Sequence, residues 1–265
     1  MAIKYREDVD LEFLQKCDND DLKVLADILI YGKNGSKRWT EELSEENDFK
    51  FCHRNYQKVW DLIAGELQLF GGDTIANIAR RGHGRLYRDI LIGVSKKMRV
   101  NFNKKSPIEL IEMNLLMKIV EKALDKMSED DKRKLAKEMK LKGGQFTTQA
   151  IIAALQAAIK AGRFKSYQIA LIVANGVSKA ILGRGLTFTG NQTLARMVSF
   201  FSGPIAVLVN IALFLPVITG PAYRVAIPAT VQVAYMRQKM VSGNGSNGKV
   251  KKEKEKSEKI IPVKY

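Results

Sequence analysis

From Met139 to Lys252 the chain contains no aspartate and no glutamate, although fourteen lysines and arginines fall in the same stretch. The full 265 residues carry 44 Lys and Arg against 28 Asp and Glu, a formal net charge of +16. The acids are therefore gathered elsewhere, and residues 1–50 hold thirteen of them against eight bases. Cysteine is almost absent. Cys17 and Cys52, with His53 and His83, make neither a disulfide framework nor a recognisable metal-ligand spacing, so a reducing compartment is expected and no metal or cofactor is. Six prolines and twenty glycines exclude a collagen, and 46% apolar residues exclude a mostly disordered chain. The first ten residues carry three acids and no apolar run. That is unlike a signal peptide and predicts a cytoplasmic protein, or one that reaches the inner membrane from that side.

What is present has helical spacing almost throughout, which predicts an all-α fold. Val9, Phe13 and Cys17 recur every fourth residue, and Leu22, Leu25, Ala26 and Leu29 share a face, with Asp18, Asn19 and Asp20 between them offering a cap for the second helix. Residues 1–35 thus read as a helical hairpin. Tyr56, Trp60, Ile63, Leu67 and Phe70 form an amphipathic stripe ending at Gly71-Gly72. Asp73 is placed to cap a further helix, and Leu86, Ile90, Val94 and Met98 mark the next one. Ser106-Pro107-Ile108-Glu109 has the form of a capping box before Ile111, Leu115 and Ile119, and Ser128 to Asp131 repeats it.

The composition changes at Gly143-Gly144, where a domain boundary is expected. Residues 1–142 form a charged helical domain, 143–240 an apolar, acid-free, basic helical domain, and 241–265 a disordered Lys/Glu tail. Residues 166–182 are apolar on nearly every side, which predicts burial. Between Arg196 and Arg224 there is no charge, so the segment 197–223 is either a membrane span or a buried core helix. Pro204, Pro216 and Pro221 are expected to cut it into pieces.

One segment carries polar groups beside apolar ones in a pattern that deserves a chemical reading: Trp60, Glu66, Gly71, Gly72, Asp73, Asn77, Arg81, Gly82, Gly84 and Arg88. Glu66 lies three residues after Ile63 and four before Phe70, on the margin of the stripe. The expected role is structural, with Glu66 clasping Arg81 or Arg88 and the glycines forming turns. Arg81 to Arg85 could also hold a phosphate on backbone N–H groups, although the Lys-Ser/Thr ending of a P-loop is missing. No Cys/His or Ser/His/Asp spacing suggests nucleophilic catalysis, and a non-enzymatic protein is expected.

The run from Trp60 to Asn77 and on through Arg81 to Leu91 resembles the YaaW-like family of bacterial proteins. The opening Tyr5 to Cys17 is similar to that family's N-terminal domain of unknown function, and Gly220 to Ala234 to its closing segment. The resemblance brings no catalytic residue. It implies a distant link to ubiquinol-cytochrome c chaperones, and hence to membrane-protein assembly.

Lys160, Arg163, Lys165, Lys179, Arg184, Arg196, Arg224, Arg237 and Lys239, set among aliphatic residues, suit an anionic membrane surface, where lipid phosphate excludes acids. The leading expectation is peripheral or partly inserted membrane association through residues 143–240. In a regulated form of it, the acidic residues 1–50 cover the basic domain until released. The alternatives are an assembly chaperone for a membrane protein, a self-oligomer, an ordinary helical bundle with 143–240 as its core, and a nucleic-acid binder. The last is disfavoured by scattered bases with few aromatics between them.

Overall fold

The structure is a computed structural model that describes residues 3–32, 35–38, 41–70, 84–138, 146–161, 166–187, 192–214 and 223–243. Its helices are α1 (Asn19–Ile30), α2 (Asn47–Lys50), α3 (Trp60–Phe70), α4 (Tyr87–Lys97), α5 (Ile108–Leu124), α6 (Glu129–Glu138), α7 (Thr148–Lys160), α8 (Ser166–Leu182), α9 (Gln192–Phe214) and α10 (Tyr223–Val241). Short 3-10 turns at Glu12–Lys16, Leu43–Glu45 and Tyr56–Val59 join the first of these. Among the described residues there is no strand beyond one isolated bridge between Tyr31 and Lys37. The fold is all-α, as the apolar periodicity predicts.

Helix α10 is the hub. From Val225 to Met236 its sequence has no charge, and every residue from Val225 to Gln238 is buried. A helix without a polar face must be surrounded, and α10 packs against α1, α3, α4, α5, α8 and α9. Helices α8 and α9 form a tight hairpin beside it. Buried Asn175 of α8 accepts the Leu186 N–H on Oδ1 at 2.9 Å and donates from Nδ2 to Ser202 Oγ of α9 at 3.2 Å. The expected boundary at Gly143-Gly144 falls outside the described residues. Buried side chains on its two sides, from Ile3 to Met236, form one continuous core.

Several local expectations are corrected. Pro204 does not end its helix, because α9 runs across it, its missing N–H bond offset by packing of the turns before it on α8. Pro216 and Pro221 lie outside the described residues, and α10, which begins at Tyr223, contains Pro228 within it. The capping box at Ser106 is not formed: Pro107 takes the cap position with no side-chain bond, and the Ser106 carbonyl instead accepts from Arg88 at 2.9 Å. Asp18 makes no cap bond either, since its carboxylate is drawn to Lys239 at 2.9 Å. At Ser128 the expectation holds, since its Oγ accepts the Asp131 N–H at 3.1 Å. Among the described residues no helix is long and apolar enough to cross a membrane.

Candidate functional site

The apolar stripe of α3 forms as expected, with Ile63 and Leu67 fully buried and Phe70 at the edge of the core. Trp60 receives the ring of Tyr5 edge-on, with centroids 5.1 Å apart. Gln68, from the same helix, holds the N-terminal segment by pairing with its backbone. Its Oε1 accepts the Arg6 N–H and its Nε2 donates to the Arg6 carbonyl, each at 2.9 Å. Gly84 crosses directly over Gln68. A Cβ on Gly84 would lie 2.4 Å from the Gln68 Cβ and 2.7 Å from its carbonyl carbon, which is why no side chain fits there.

Glu66 does not clasp Arg88. It is 1% exposed, Oε1 accepts the Glu42 N–H at 3.0 Å, and Oε2 has no hydrogen-bond partner among the described residues. Burial pushes its carboxyl up to about 8. The Glu42 N–H opposes that shift, and the charges of Glu41, Glu42 and Glu46 reinforce it. Arg88 turns the other way, toward Asp10 at 3.5 Å and the Ser106 carbonyl. The alternative partner Arg81 lies outside the described residues, as do Gly71, Gly72, Asp73, Asn77 and Gly82. Among the described residues no group of three or more His, Cys, Asp or Glu side chains could hold a metal ion.

The principal polar constellation of the core sits where α10 meets α4, α5 and the N-terminal segment. Glu112 of α5 is fully buried and Arg237 of α10 is 8% exposed. Arg237 Nε donates to both Glu112 oxygens, at 3.1 and 3.0 Å, and its Nη2 donates to the Asp10 carbonyl. The guanidinium lies 4.2 Å from the Phe13 ring centroid, a cation-on-ring contact. Tyr87 completes the set: its hydroxyl donates to Glu112 Oε1 at 2.8 Å and its N–H to Asp8 Oδ2 at 2.6 Å. Burial drives the Glu112 carboxyl up to about 7 against the opposing pull of Arg237 and Tyr87. For Arg237 burial works against the charge, but Glu112 outweighs it and holds the guanidinium above its ordinary value.

A second junction lies one turn away on α10. Lys239 donates to Asp18 at 2.9 Å and Asp21 at 2.6 Å, and Gln232 donates to the Asp21 carbonyl at 3.2 Å. Arg184, after α8, pairs with Asp27 of α1. Three of the bases expected to meet lipid phosphate therefore meet protein groups, and Arg237 and Lys239 are corrected from an external to an internal role. Their partners come from residues 10–27 and from α5. The acidic N-terminal segment is also part of the core, since Leu11, Leu14, Leu22 and Leu25 are fully buried. Lifting it away costs about 1.5–3 kcal/mol for each of these, so the expected releasable cover is a fixed structural wall.

The remaining predicted bases are dispersed. Lys160, Lys179 and Arg196 are exposed on separate helices, and Arg163 and Lys165 lie outside the described residues. Arg224 is half-buried, and among the described residues its Nε has no hydrogen-bond partner. Burial and the nearby Arg224 charge push Arg38 down to about 10. Glu112, the pivot of the core constellation, was not singled out from sequence. Its signal was an acid inside an apolar stripe, since Ile108, Glu112, Leu115 and Ile119 are spaced four, three and four.

Residues 5–39 match a domain of unknown function, DUF3944. Residues 55–212, most of the chain from before α3 almost to the end of α9, match the ubiquinol-cytochrome C chaperone family. A UPF0174 protein of Helicobacter pylori strain J99 is 42% identical over 245 residues, covering 92% of this chain and 96% of the relative. The UPF0174 protein YaaW of Escherichia coli K12 is 32% identical over 247 residues, covering 91% of this chain and 98% of its own length. No solved structure matches. On the strength of these near full-length similarities, the chain belongs to the UPF0174 family that includes YaaW.

Proposed function

We propose that this protein is a non-enzymatic assembly factor that holds an apolar helical segment of a membrane-protein partner. One surface carries the reading. Helix α7 begins at a formed cap, where Thr147 accepts the Ala150 N–H, and buries Ile151 and Leu155 on α5. Its outer side exposes Ala150, Ala153, Ala157 and, just past its end, Ala161, at spacings of three, four and four. Small residues on that spacing let a second helix approach closely, and the ridge lies inside the region similar to the ubiquinol-cytochrome C chaperones. Polar Gln149, Gln156 and exposed Lys160 flank it, which suits a transient contact.

The test is protection of an apolar, Leu/Ala-rich transmembrane peptide from aggregation by the purified full chain. Stoichiometric protection is expected, lost in Ala153→Glu/Ala157→Glu, a pair exposed enough to leave the core intact. Absence of protection, or equal protection by the variant, overturns the reading.

Peripheral contact with an anionic membrane on the cytoplasmic side is the second reading, supported by exposed Lys160 beside the same ridge. At about 1 kcal/mol per base near such a surface, the dispersed bases left over from internal pairing give weak, salt-sensitive binding. Flotation with anionic and neutral vesicles separates the two: capture by anionic vesicles alone supports this second reading, and capture by neither removes it.

A further inference from the structure

Five bases of the N-terminal half line one open cleft that plays no part in the core constellation. Its volume is about 800 Å³. Arg6 from the N-terminal segment, Arg85 before α4, Lys96 and Lys97 in the last turn of α4, and Lys104 in the following loop all line it. Asp89 is the single carboxylate among the lining residues. Ile92 and the ring of Tyr223, the first residue of α10, supply an apolar wall, and the Lys97 ammonium lies 5.6 Å from the centre of that ring.

We propose that this cleft is a binding site for a phosphate-bearing ligand of nucleotide or lipid-headgroup size. Bases brought together from separated parts of the chain repel one another, and a fold that merely needed solubility has no reason to gather them around a concavity. Among the described residues Arg6, Lys96 and Lys104 have no carboxylate at ion-pair distance. They contrast with Arg184, Arg237 and Lys239, each of which has one. Arginine guanidinium forks and three lysine ammonium groups match the several oxygens of a polyphosphate or phosphodiester. The volume falls within the range of small-molecule sites and far exceeds a single phosphate, and the Ile92 and Tyr223 wall receives the uncharged part of the ligand. Gly93 forms part of the floor beside Tyr223, whose hydroxyl would lie 3.5 Å from an added Cβ, so only a side chain longer than alanine's would fill the space.

The full chain is titrated with two probes, tripolyphosphate and vesicles of phosphatidylglycerol in phosphatidylcholine. Saturable binding is expected for at least one of them. Lys96→Gln/Lys104→Gln is expected to weaken it tenfold or more, while Lys126→Gln/Lys137→Gln, which removes the same charge from exposed positions that do not line the cleft, changes it by less than twofold. Gly93→Leu fills the cleft without altering charge and is also expected to weaken binding tenfold, with melting curves checking each fold. Tripolyphosphate binding alone assigns a soluble ligand. Vesicle binding that tripolyphosphate displaces assigns a headgroup. Binding of neither probe, equal losses in the two lysine pairs, or binding that Gly93→Leu leaves intact overturns the proposal.

Discussion

Replacing Glu66 with glutamine should change how stability depends on pH more than it changes stability itself. Glu66 is buried among Glu41, Glu42 and Glu46, and its carboxyl is pushed up to about 8 from an ordinary 4.5. The folded state therefore retains a proton that the unfolded chain releases. The contribution of this group is fully present below pH 4.5 and is lost as pH rises toward about 8. At about 1.4 kcal/mol per pH unit the full displacement gives an upper bound of roughly 5 kcal/mol, and partial exposure of Glu42 and Glu46 trims it to ~2–4 kcal/mol. Glutamine keeps the acceptor for the Glu42 N–H and never ionises. Urea denaturation at pH 5 and pH 8.5 should show wild type losing ~2–4 kcal/mol more than Glu66→Gln across that interval. Parallel pH profiles for the two proteins would refute the argument, because they would mean that the carboxyl ionises in the fold without cost.

Three further substitutions probe the packing. Arg237→Met leaves Glu112 buried without its counter-charge and should cost about 3–5 kcal/mol in denaturant melts, whereas Glu112→Gln/Arg237→Met should recover part of that loss. Non-recovery would show that the two residues are not coupled. Gly84→Ala drives a methyl into the Gln68 backbone and should destabilise by about 1–3 kcal/mol. Gly203→Ala, inside α9 with no atom beyond its chain neighbours within 4 Å of the added Cβ, should instead be nearly neutral, within ~0.5 kcal/mol, because the gain in helix propensity is opposed by crowding of the new Cβ against the Pro204 ring. The reverse order of those two effects would contradict the described placement of both glycines.

Much of this architecture is legible in the chain. The stripe from Tyr56 to Phe70 is a matter of local periodicity, and so are the buried faces of α5 and α8, so these needed no tertiary information. Capping was less legible, because the helix after Ser106 starts one residue late, with Pro107 at the cap position, and Asp18 has a competing partner distant in sequence, Lys239, that only the fold supplies. The missing acids show the same difficulty on a larger scale. An acid-free, basic, apolar run is what a lipid surface would select, but it is also what a central helix such as α10 requires when enclosed on all sides. There a carboxylate would be buried with no cation, while Arg237 and Lys239 at the end of the helix reach Glu112, Asp18 and Asp21. Composition cannot distinguish the two cases. The isolated acids at 66 and 112 inside apolar stripes were the visible trace of the second, and only Glu66 was singled out as a candidate.

The central claim is that the acidic N-terminal segment and the basic C-terminal helix are one cooperative unit, closed by the Arg237 and Lys239 junctions. Hydrogen–deuterium exchange of the full chain measures this directly. Backbone amides in α1, α5 and α10 are expected to exchange at a shared, slow, globally limited rate. Exchange of α1 a hundredfold or more faster than α10, with α10 still protected, would contradict it and restore the acidic segment as a releasable cover.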